Sequence, residues 1–113
     1  MKQKEKLQPE IEEWKKKYGE DNVKKVTVEV AENDTAIMYF LDPKASPKRR
    51  SIYSRVLMMM RKDNTIDAGQ IIMNECWLGG DNRFKDPDSM VCITGAITLT
   101  NEINFLPSSV GTA

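Results

Sequence analysis

A chain of 113 residues, 40% apolar and 30% charged, has room for one domain with one modest core and is too apolar for wholesale disorder. No apolar run approaches the roughly 20 residues of a membrane helix. The start, Met1-Lys2-Gln3-Lys4-Glu5-Lys6, is charged with no signal-like apolar region behind it, so the expected setting is the cytoplasm.

Histidine is absent, which removes the commonest general base and metal ligand and with it the Ser-His and Cys-His nucleophile pairings. Cys76 and Cys92 are too few and too far apart for a disulfide framework or a zinc cluster. No enzyme, metal or cofactor is expected, and no membrane partner.

In chain order, Pro9 suits the first position of a helix, with Glu10, Glu12 and Glu13 in its first turn and Lys15, Lys16 and Lys17 in its last. Gly19 stops it. Ile11, Trp14 and Tyr18 share one face, a narrow stripe that should dock on the body through Trp14; a partner surface is the alternative.

Val26, Val28 and Val30 alternate with Thr27 and Glu29, the pattern of a half-buried strand. Glu32-Asn33-Asp34 supplies a turn. Ala36 to Leu41 is apolar at both parities, so this strand should be covered on both faces. The two form a hairpin with one outer and one inner strand, ended by Asp42-Pro43.

Ser46-Pro47 opens a second helix. Ile52, Tyr53, Val56, Leu57, Met59 and Met60 fall on one side of its wheel. Lys48, Arg55 and Lys62 lie on the opposite flank, Arg50 and Arg61 on another edge, and Met58 projects among the basic residues. No acid occurs from Ser46 to Lys62, so the helix is basic and amphipathic. Phosphates, membrane headgroups or an acidic protein could meet such a face, or it is a solvated face whose charges complement the acidic second half; aromatic residues do not interleave with the basic ones as they do along a single-strand binding track.

A third helix runs from Ile66 to Leu78, capped by Asn64 or Thr65. Only Asp67, Gln70 and Asn74 form a polar strip, so this helix should be the most deeply buried or else have a partner, with Trp77 as an anchor of the core. Glu75 is placed to pair with a basic residue of the second helix. Cys76 reads as a small core residue.

Gly79-Gly80 ends the helix. A helix before the glycines is the wrong context for a phosphate loop, and Asp81, Asp86 and Asp88 lack calcium-loop spacing, so these acids read as turn and cap residues. The final segment carries two signals. Val91, Ile93, Ile97 and Leu99 alternate with Cys92, Thr94, Thr98 and Thr100 as in a strand. Asp86-Pro87 is a helix start, and a helix from Pro87 to about Glu102 is preferred. Residues 107–113 form a loose tail beyond a single domain of residues 1–106.

The formal net charge is zero, yet residues 1–62 carry 15 Lys/Arg against 10 Asp/Glu and residues 63–113 carry 2 against 7. The halves should attract each other, within the fold or between subunits, so a homo-oligomer is compatible with the pattern. A nucleic-acid face is the rival explanation.

Asn74-Glu75-Cys76-Trp77-Leu78-Gly79-Gly80-Asp81-Asn82 resembles the Cys-Trp-aliphatic-Gly-Gly-Asp element of small tail assembly chaperone-like proteins of tailed phages and prophages of gut bacteria. The resemblance runs from about Lys17 to Ile103 and takes in Lys17-Tyr18-Gly19, the Val-rich strand and the Tyr39-Phe40-Leu41 strand. After Asp88 the two diverge: the family continues with a Leu/Ala-rich helix and a charged tail, this chain with a Thr/Ile-rich stretch. The resemblance implies a protein of the host cytoplasm that binds phage structural or tail proteins during assembly, without cofactor or catalysis.

Together these readings give an α+β fold: an N-terminal helix, a β-hairpin, then two or three helices packed on the sheet. The expected partner-binding residues are Arg50, Arg55, Met58, Arg61 and Lys62. Two alternatives stand beside the chaperone-like role, an accessory structural protein built into the virion and a small nucleic-acid-binding protein using the basic helix 47–62.

Overall fold

The computed structural model describes the backbone from Lys2 and side chains from Gln8 onward. The charged start at residues 1–6 lies outside the described side chains. The fold is α+β, as the patterning predicts. In order come α1 (Lys2–Tyr18), β1 (Val23–Ala31), β2 (Asp34–Leu41), α2 (Arg49–Arg61), α3 (Thr65–Cys76), β3 (Trp77–Gly80) and α4 (Met90–Asn101). The strands make one antiparallel sheet in the order β1-β2-β3.

The central strand explains the architecture. On β2, Ala36, Met38 and Phe40 point to the main core, where Val26 and Val28 of β1 stand opposite Met38 and Ala36. Ile52, Val56, Ala68, Ile72, Met73, Val91, Ala96 and Leu99 of α2, α3 and α4 close over them. On the other face Tyr39, itself buried, meets Trp14 of α1 at a ring separation of 6.0 Å. An inner strand apolar at both parities is what a layer on each face requires.

Several sequence expectations need correction. Pro9 lies inside α1 rather than opening it; its missing N–H removes one helical hydrogen bond at that turn. Val30 is 46% exposed, because a bulge between Glu29 and Ala31 breaks the alternation just before the two-residue turn Glu32-Asn33. Ser46 Oγ accepts from Lys48 N at 3.1 Å, so Ser46 and Pro47 form a turn and α2 begins only at Arg49. Leu57, assigned to the core side, is 41% exposed.

The third helix ends two residues early. Trp77 and Leu78 leave it to start β3, which pairs with Met38 to Phe40. Trp77 is therefore half-buried at the sheet's margin and packs on the core without anchoring it. Ile66 is partly exposed, and α4 rivals α3 in burial.

The last segment is helical, as preferred, but Asp86-Pro87 only turns the chain; the cap is Ser89, whose Oγ accepts from Cys92 N at 3.1 Å. Tertiary contacts override the strand propensity of its residues. Gly69 on α3 lets the two helices close, since a methyl there would sit 2.0 Å from Ala96 O. Backbone carbonyls satisfy the threonines: Thr98 Oγ1 donates to Thr94 O at 3.0 Å, and Thr100 Oγ1 lies 3.0 Å from Ala96 O one turn back and 2.8 Å from Thr65 O on α3.

Candidate interaction surface

Ile52 and Val56, both fully buried, fix how α2 is rotated. The residues opposite them are then forced outward. Arg50, Leu57, Met58 and Arg61 occupy the solvent side, with Lys62 exposed just past the helix end. Met58 is 53% exposed. The result is an apolar pair, Leu57 and Met58, set between arginines.

Arg55 does not belong to that face. It turns to α3, where Nη1 lies 3.4 Å from Glu75 Oε2, the pairing expected of Glu75. The pair is partly exposed and contributes little to stability. The structure thus brings Arg50, Met58, Arg61 and Lys62 together and ties Arg55 into the fold. Sequence reasoning missed Leu57 and the chain after α4. There Phe105 stacks edge-on against Tyr53 at 5.3 Å and 65° and leaves half its own surface open. No periodic signal announces such a contact, because it is made by chain without regular structure. Beneath it, an open groove of about 490 Å³ is lined by Lys24, Lys25, Lys44, Asp42, Tyr53 and Glu102, both signs of charge together.

The Cys-Trp-Leu-Gly-Gly-Asp stretch serves the fold. Lys85 Nζ sits 4.9 Å from the Trp77 ring centroid. Gly79 lies under Trp14, where a methyl would come within 2.9 Å of Cη2. Gly80 adopts φ 141° against Ile37 O and Met38 Cα, at 2.5 Å from where a Cβ would stand. Asp81 accepts from Arg83 N at 2.9 Å and from Arg83 Nη2 at 2.8 Å. Arg83 also holds Asp34 at the hairpin turn, bidentate at 2.8 Å to each oxygen. Hydrogen bonding from Arg83 pulls both carboxyls below their ordinary 3.8, and the two acids raise the guanidinium in turn. As expected, Asp81 and Asp86 are turn and cap residues.

Both cysteines are buried and free. Burial pushes the Cys76 thiol up to about 11 and raises that of Cys92, so neither is poised as a nucleophile. The Tyr39 hydroxyl is buried with no hydrogen-bond partner among the described residues, and desolvation raises its pKa. Among the described residues no helix is long and apolar enough to cross a membrane. Comparison of the chain with protein-family models, curated proteins and solved structures gives no match.

Proposed function

We propose that this protein is a non-catalytic assembly protein of a tailed bacteriophage, tail assembly chaperone-like, that binds phage structural or tail proteins in the host cytoplasm through the outer face of α2. The observation that carries the reading is the composition of that face: Leu57 and Met58 exposed between Arg50 and Arg61, on a helix without one acid. Adaptable methionine beside arginine suits a protein surface that is apolar with an acidic rim. The sequence resemblance centred on Cys76 to Asp81 supports the phage setting. The non-catalytic part rests on the absence of histidine and of any nucleophile-base spacing in the sequence.

The test is a pull-down from phage-infected cells with wild type and with Arg50→Gln, Arg61→Gln and Lys62→Gln combined. Recovery of an identified tail or structural protein should fall with the triple change while the fold persists, mainly through slower association. Duplex and single-strand DNA titrations at low salt form the second arm. Salt-sensitive binding abolished by the same substitutions would replace the protein-binding reading with nucleic-acid binding. Mass spectrometry of purified virions separates a chaperone that leaves from a structural protein that stays.

A further inference from the structure

β1 is the longest strand of the sheet and, among the described residues, has only β2 as a neighbour. It pairs with β2 from Val23 to Ala31, and among the described residues no backbone hydrogen bond from another segment reaches its outer edge. Such an edge is a template for another strand unless its side chains refuse one. Here Lys25, Thr27 and Glu29 stand in an exposed row on one face, and Val26 and Val28 are buried on the other.

We infer that two copies of the chain pair through this edge, antiparallel, about a two-fold axis at Thr27. In that register Lys25 of each copy stands opposite Glu29 of the other, so two oppositely charged cross-strand pairs form at once. Thr27 faces Thr27, and Val26 faces Val28, continuing the apolar row that β1 already shares with Met38 and Ala36.

The other symmetric registers lack this match. Centring on Lys25 or Glu29 sets a charge against itself, and centring on Val26 or Val28 sets Lys25 against Thr27 or Ala31. The bulge after Glu29 ends regular pairing there and confines the contact to the matched residues. Lys25 thus discourages arbitrary strands while accepting this one, and the contact is isologous, the commonest closed arrangement. The dimer leaves the α2 face unused, so it stands independently of the partner proposed above.

Sedimentation equilibrium of the full chain at micromolar concentration should give twice the 12.9 kDa monomer mass. Lys25→Glu should raise the dimer dissociation constant at least about tenfold, Glu29→Lys likewise, and the double exchange should restore it. Thr27→Cys should form a covalent dimer on mild oxidation, since Cys76 and Cys92 are buried and do not compete. Circular dichroism confirms that each variant is folded. A wild type that stays monomeric, or a dimer indifferent to Lys25→Glu and to Thr27→Cys oxidation, would overturn the inference.

Discussion

Arg83 closes on Asp34 with both terminal guanidinium nitrogens, 2.8 Å from each carboxylate oxygen, although 49 residues separate the two in the chain. The contact ties the loop after β3 to the β1–β2 turn. Asp34 and Asp81 both have folded pKa values below their ordinary 3.8. The unfolded chain therefore binds more protons in acid, and stability rises with pH across that range. The contribution is fully present above 3.8 and is lost as pH falls through the depressed folded values. Asp34→Asn should lower the thermal midpoint near neutral pH, and its curve should converge with that of wild type in strong acid. Parallel curves would show that the pair adds nothing.

Gly80→Ala should be among the most disruptive single-methyl changes in the protein. The residue combines φ 141° with backbone 2.5 Å from the added carbon, so no neighbouring side chain can yield to make room. A loss well above about 1 kcal/mol is expected in urea unfolding. Gly111→Ala, where nothing lies within 4 Å, is the control and should be neutral.

Burial ranks the core. Ile72, 2% exposed beneath β2, should lose about 2–5 kcal/mol on substitution by Ala. Trp77→Ala should lose less despite the larger side chain removed, since Trp77 is half-buried. Chemical denaturation of the two variants side by side decides the order; the reverse order would return Trp77 to the centre of the core.

Arg55 and Arg61 should separate stability from binding. Arg55→Gln breaks the contact with Glu75 and should cost at most about 1 kcal/mol. Arg61→Gln should leave the melting temperature unchanged and weaken capture of the partner. Equal effects of both on capture would mean that Arg55 leaves Glu75 to join the interface.

The thiols should report unfolding. With Cys76 and Cys92 both buried, native protein should label slowly with a thiol reagent at neutral pH, and the labelling rate should follow the population of opened chain. Rapid labelling of folded protein would place a thiol at the surface.

The β1–β2 hairpin and the basic face of α2 were legible because period-two and helical patterns speak directly about burial. The doubly apolar Ala36–Leu41 run announced a layer on each side of β2. β3 was not legible: four residues with two glycines have no periodicity, and their strand geometry comes from the edge that Met38 to Phe40 offers. Leu57 was misplaced because it sits at the border of the apolar arc, where the packing of neighbours decides. The helical wheel puts Arg55 on the flank away from the apolar side; only the position of Glu75 on α3 shows that it turns back to the fold.

No residue intervenes between α3, ending at Cys76, and β3, beginning at Trp77. A residue inserted in α3 would turn everything after it by about 100° and advance it about 1.5 Å. It would also exchange the inward and outward sides of β3. Gly79 would leave its place under Trp14, and Gly80 its place against Ile37 and Met38. The length of this stretch is thus as constrained as its composition. Insertions and deletions in functional variants should be better tolerated at the Glu32-Asn33 turn and in the chain beyond Phe105, where no strand has to stay in phase with a helix.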